Sequence, residues 1–226
     1  MRSLSYCFGP LAALLVALFW ACGAGADIIT DSDSTGLITT NFDLTLSVDQ
    51  FDSSLGTLTQ VTVTVSGQLQ GGGAFENFNS YAVDDTFHYT LDQALDVTWV
   101  PGTLLEVDQN LDNTIPVNVP AFDGTIDFAG TSGYTESAYT QGDSQVYVFT
   151  LPADLATFVG TGTVDFSAIG SGAASQWAPN GVIAVNFSLG EATVEVEYQY
   201  TPVPEPATIL LAGLGLGALL LRRRSK

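Results

Sequence analysis

Residues 192–200 read Ala192-Thr193-Val194-Glu195-Val196-Glu197-Tyr198-Gln199-Tyr200. Apolar and polar side chains alternate one for one, the signature of a β-strand with one dry face and one wet face. Val, Thr and Tyr also suit a pleated, half-buried surface. Working outward from this stretch, the same period of two recurs along the chain. Phe42, Leu44, Leu46 and Val48 alternate with Asp43, Thr45, Ser47 and Asp49, and Val61, Val63 and Val65 alternate with Thr62, Thr64 and Ser66. Phe87, Tyr89 and Leu91 lie in phase, followed by Leu95, Val97 and Trp99, and then Ile183, Val185, Phe187 and Leu189 opposite Ala184, Asn186 and Ser188. Turn-forming clusters separate these runs: Gly71-Gly72-Gly73, Pro101-Gly102, Asp123-Gly124 and Pro179-Asn180-Gly181. No amphipathic helix is legible, although Ala153–Phe158 fits a single turn. Many short strands with one wet face each predict an all-β fold, an antiparallel β-sandwich of two packed sheets over residues 27–201.

Charge is distributed as unevenly as hydrophobicity is regular. The 226-residue chain carries 24 Asp and Glu, all but Glu205 between Asp27 and Tyr200. Its five cations are Arg2, Arg222, Arg223, Arg224 and Lys226, and the net charge is −19. With no basic patch there is nothing to hold phosphates, which excludes nucleic-acid binding, and anionic membrane surfaces repel the domain. Cys7 and Cys22 lie outside the same span, so neither a disulfide framework nor a Cys-based zinc site belongs to it. Uncompensated carboxylates repel one another, and salt or divalent ions are therefore expected to stabilise the fold.

The two ends read as addresses. Arg2 and the apolar run Leu11–Trp20, followed by Ala24-x-Ala26, describe a secretory signal peptide over 1–26 with cleavage after Ala26. A lipoprotein reading with Cys22 as the acylated residue would put the bulky Trp20 where a small residue is needed. At the other end Pro202, Pro204 and Pro206 force an extended hinge, and a helix can begin only after Pro206. Ala207–Leu221 is apolar throughout; as a helix it would be about 22 Å long, short against a hydrocarbon core of ~30 Å. The basic tail Arg222, Arg223, Arg224 and Lys226 would stay cytoplasmic, leaving the acidic domain outside. A stop-transfer anchor is the alternative, and Gly213 and Gly217 also spell a helix-packing GxxxG.

Val203-Pro204-Glu205-Pro206-Ala207-Thr208, the short hydrophobic stretch and the Arg-rich end resemble the PEP-CTERM sorting signal over residues 202–226. That resemblance implies recognition by an exosortase, a membrane-embedded transpeptidase-like enzyme, in bacteria that make exopolysaccharide. It also implies removal of the tail near Pro204-Glu205-Pro206. Phe51–Leu58 with Val61–Val65, then Asp154–Val164, then the closing strand Ala192–Tyr200, are similar to a choice-of-anchor E domain. This second resemblance implies an exported surface or matrix protein and supplies no catalytic residues.

Candidate chemistry is sparse. A nucleophile with a general base needs a His, and His88 is the single one, on the polar face of its strand between Thr86 and Thr90. A non-enzymatic role, structural or adhesive within exopolysaccharide, is therefore expected, although plentiful carboxylates leave a glycosidase pair conceivable. The alternative is a calcium-dependent carbohydrate-binding module. Trp177, read as part of the loop Ser175–Pro179, is the candidate sugar-stacking side chain; Tyr134 and Tyr139 are weaker ones, and Trp99 is in phase with the core. Calcium takes oxygen ligands; Glu106, Asp108 and Asp112 form the candidate set. Glu195/Glu197 share a strand face, and Asp31/Asp33, Asp84/Asp85 and Asp108/Asp112 read as loop clusters. Asn186-Phe187-Ser188 is a sequon of the kind that arises by chance.

Overall fold

A computed structural model describes residues 25–99 and 102–203. The signal peptide expected over 1–26 falls, up to residue 24, outside the described residues, as do residues 204–226, where the apolar helix and basic tail are expected. Among the described residues ten strands form two antiparallel sheets. The first contains β1 (Asp27–Ser34), β10 (Val182–Pro202), β4 (Gly56–Asn77) and β7 (Gly133–Thr135) in that order, with β2 (Ile38–Thr39) against β10 and β8 (Tyr139–Phe149) against β4. The second runs β3 (Phe42–Asp49), β9 (Thr163–Trp177), β5 (Val83–Trp99) and β6 (Gly102–Val119). The expected turn appears as a short helix, α1 (Pro152–Leu155), and a 3-10 turn (Ala156–Phe158).

The central pair sets the dimensions. β4 and β10 are paired from Val182 opposite Asn77 to Pro202 opposite Gly56, with one irregularity between Gln199 and Tyr200. At roughly 3.3 Å per residue that pair is about 65 Å long. The domain therefore has a proximal end, where β1 begins and β10 ends, and a distal end, where β10 begins. Two apolar clusters divide the length. The proximal one gathers Val61, Val63, Val65, Val97, Phe158, Phe166, Val194 and Val196, with Trp99 against it as its phase foretold. The distal one gathers Phe75, Phe87, Tyr89, Leu91 and Val117. Gln93, 4% exposed, lies between them and donates its amide to Gln70 O and Ser188 Oγ.

Two readings of the sequence are corrected here. Gly71-Gly72-Gly73 is not a turn but lies inside β4. Gly67, Gly71 and Gly73 fall on its inner face, and each receives a large side chain from the opposite sheet. A Cβ on Gly67 would sit 2.6 Å from Leu95, one on Gly71 2.5 Å from Leu91, and one on Gly73 2.9 Å from Phe87. The second concerns Ile183, Val185 and Phe187. β10 keeps one orientation from Val182 to Gln199, so the even positions that bury Val194, Val196 and Tyr198 also turn Ala184, Asn186 and Ser188 inward. The apolar phase of the sequence changes at Gly190, but the strand does not follow it. Ile183 and Val185 are left on the solvent side, 46% and 39% exposed.

The sandwich edges are laced by polar side chains. Asp31 and Asp33, expected in a loop, lie in β1 and cross to the other sheet: Asp49 N–H donates to Asp31 at 2.6 Å and Ser47 N–H to Asp33 at 2.8 Å. On the opposite edge Tyr147 donates its hydroxyl to Leu104 O, and Glu136 accepts from Tyr89, Tyr139 and Asn113. Burial, with Glu136 beside it, pushes the Tyr89 hydroxyl above its ordinary pKa and keeps it a donor.

Gly73→Val is expected to destabilise the fold by about 1–3 kcal/mol through overpacking against Phe87 and Tyr89. Gly102→Ala, whose Cβ meets nothing within 4 Å, should change stability by less than about 0.5 kcal/mol. Paired thermal melts of the two variants check this. The melting temperature of the unaltered protein should rise from low to moderate salt, as carboxylate repulsion is screened; a flat response would count against that.

Candidate functional site

β9 extends through Trp177, so this residue sits at a strand end rather than in the expected loop. It is paired directly with His88 of β5. Both project from the outer face of the four-stranded sheet, where Trp177 is 52% exposed. Next to this pair, Ser175 lies opposite Thr90 and their hydroxyl oxygens are 2.7 Å apart. Thr90 in turn lies opposite Asp112 of β6, whose carboxylate meets His88 Nε2 at 2.7 Å. The pleat thus assembles one indole, one imidazole, one carboxylate and two hydroxyls on a flat, accessible surface close to the distal end. The arrangement can stack on an apolar ring face and exchange hydrogen bonds at its rim. The Ser175 hydroxyl is engaged with Thr90, and His88 with Asp112.

The carboxylates proposed for calcium do not converge. Glu106, Asp108 and Asp112 share the outer face of β6, which places them in a row about 20 Å long. Glu106 faces Asp96 across the hairpin and Asp112 is held by His88. Among the described residues no group of three or more His, Cys, Asp or Glu is placed to hold a metal ion. Asp84/Asp85 and Asp108/Asp112 lie in strands, not loops. Glu195 and Glu197 point outward from β10 between hydroxyl-bearing neighbours. Tyr134 is 41% exposed but stacked on Phe75 at 5.3 Å, and Tyr139 is tied to Glu136. A shallow depression of ≈ 530 Å³ on the six-stranded sheet is lined by Ser66, Gln68, Thr140, Asp143, Glu191 and Thr193, with no aromatic side chain.

The proximal end carries the second functional feature. Pro202 is still paired with Gly56, and Val203 N–H donates to Leu55 O at 3.0 Å. Gly56 is required there, since a Cβ would collide with the backbone of Thr201 and Pro202. The turn that presents Leu55 is held by Asp52, which accepts from Ser54 N–H at 2.8 Å. The Ser54 backbone and hydroxyl bonds hold the Asp52 carboxyl below its ordinary pKa. Asp123 in the distal loop is lowered in the same way, by the Thr125 amide and hydroxyl.

Residues 202–224 match the PEP-CTERM protein-sorting motif. Such a motif implies processing by an exosortase and export to the cell envelope or surface. The matched segment begins at the last residue of β10, with no linker between sandwich and motif. No curated protein matches the chain. Among solved structures it is similar to the STIV MCP at 15% identity and a TM-score of 0.22, covering 79% of this chain and 49% of that one. It is also similar to Eiger TNF from S. frugiperda at 11% identity and a TM-score of 0.22, covering 79% and 96%. A third is the Mud crab tombus-like virus structure at 12% identity and a TM-score of 0.24, covering 85% and 100%. The chain spans about half the length of the STIV MCP and of the infectious bursal disease virus Gt strain structure, which it also matches. At these scores the likenesses say nothing about ligands.

The lowered carboxyls give a signed pH dependence. Their stabilisation is complete above the unfolded value of about 4 and is lost as pH falls through the lower folded values. Amide exchange at Ser54, Thr125 and Val203, corrected for intrinsic rates, should therefore accelerate between pH 5 and pH 2.5. Unchanged protection at all three would refute the assignment.

Proposed function

We propose that this chain is a non-enzymatic adhesion domain, sorted by an exosortase, that holds extracellular polysaccharide at the Trp177–His88–Asp112 face. The observation that carries the reading is an exposed indole placed at the opposite end of β10 from the sorting motif. A domain retained through its proximal end turns that face away from the cell. Pyranose rings have apolar faces that stack on indole, while a carboxylate, hydroxyls and an imidazole bond the ring hydroxyls. The separation of Ser175 from His88 favours binding over turnover. Contact with the membrane is confined to the C-terminal segment before processing. The face needs no calcium, which sets this reading apart from the calcium-dependent module.

The test is saturable binding of the exported protein to the host's own exopolysaccharide at fixed ionic strength. Trp177→Ala is expected to weaken binding at least tenfold, about 1.4 kcal/mol, without lowering the melting temperature. Binding should survive a chelator. Equal binding by Trp177→Ala removes the face from consideration, and loss on chelation would restore the calcium reading.

A further inference from the structure

One stretch of this acidic domain has no charge at all: from Phe166 to Gly190 there is no Asp, Glu, Lys or Arg. It covers most of β9, the distal turn and the distal half of β10. In the same half, β10 has an open edge. Its proximal part is covered by β1 at Thr193–Tyr200 and by β2 at Leu189–Gly190, but among the described residues no strand pairs with that edge at Val182–Phe187. The even residues direct their backbone groups to this edge, as Ser188 O does in accepting from Thr40 N–H. At Ala184 the carbonyl is met only by the Gln176 side-chain amide. Beside the edge run Ile183, Val185 and Phe187, the apolar residues that the strand leaves on its outer face.

We propose that Val182–Ser188 pairs antiparallel with the same segment of a second copy of this chain, about a twofold axis at Val185. Open, uncharged, apolar edges are templates for strand addition. Net charge selects the occupant: two copies at −19 each repel wherever carboxylates face one another, and this is the edge where they do not. A twofold contact is self-complementary by construction. With the axis at Val185, Ala184 and Asn186 of the two copies form the hydrogen-bonded pairs. Ile183 meets Phe187 across the axis, and Val185 meets its own mate in the closely spaced, non-hydrogen-bonded position. Each carbonyl has a second lone pair, so Ala184 O can accept a partner amide while it keeps Gln176.

The test uses the full chain, expressed in an exporting host and recovered from the cell surface. Val185→Cys should form a disulfide-linked dimer on a non-reducing gel, because directly opposed non-hydrogen-bonded residues meet disulfide geometry. With Cys7 and Cys22 replaced by Ser in every variant, Glu195→Cys, exposed on the covered half of the same strand, should yield at least tenfold less, and the chain with no introduced Cys none. In a second arm, Val185→Glu should reduce the dimer seen by light scattering to monomer while leaving the melting temperature unchanged. Cross-linking at Val185 no greater than at Glu195, or a monomeric unaltered protein at tens of micromolar, overturns the proposal.

Discussion

A carboxylate buried or half-buried in a protein is ordinarily matched by a lysine or arginine, and between Asp27 and Tyr200 this chain has neither. Its structural carboxylates are matched instead by neutral N–H and O–H donors. Asp31 and Asp33 take the edge amides of β3, Asp52 and Asp123 close turns on backbone amides, and Glu136 gathers two phenols and an amide. Glu76, fully buried, accepts from Phe128 N–H and the Ser132 hydroxyl and so pins the distal loop. Hydrogen bonds to a charged acceptor are among the stronger ones, and they fix geometry more closely than a flexible lysine would. Both long edges of the sandwich depend on this device.

Much of the architecture was legible because period two is a direct consequence of the pleat. The strands around Val61, Phe87, Val97 and Val194, the inward Trp99 and the outward His88 all follow from it. The departures have physical causes. Three glycines in a row usually signal a turn, yet here alternate glycines are slots for Leu95, Leu91 and Phe87. The in-phase spacing of Gly67, Gly71 and Gly73 with Val65, Leu69 and Phe75 was the available signal. Asp31 and Asp33 read as a loop cluster because an alternating Asp pattern does not reveal that an open strand edge lies across from it.

The Trp177 face was half legible. The residue itself stood out; its neighbours did not, because His88 and Asp112 are joined to it by pairing between distant parts of the chain. Register, rather than spacing along the sequence, brings them together. The calcium set failed for the converse reason: Glu106, Asp108 and Asp112 are close in sequence, and a straight strand spreads them out. At Gly190 the apolar phase and the strand part company, and that mismatch exposes Ile183 and Val185.

The direct passage of β10 into the sorting motif has a mechanical consequence. If the distal face is held and the proximal end is retained at the cell, tension runs parallel to β10. The bonds joining β10 to β4 and β1 lie perpendicular to that line. They are therefore loaded in shear, many at once, rather than opened one after another as in peeling. Nearly the whole length of the central strand pair would have to slip together before the domain could extend, so the fold is oriented to serve as a stiff tether.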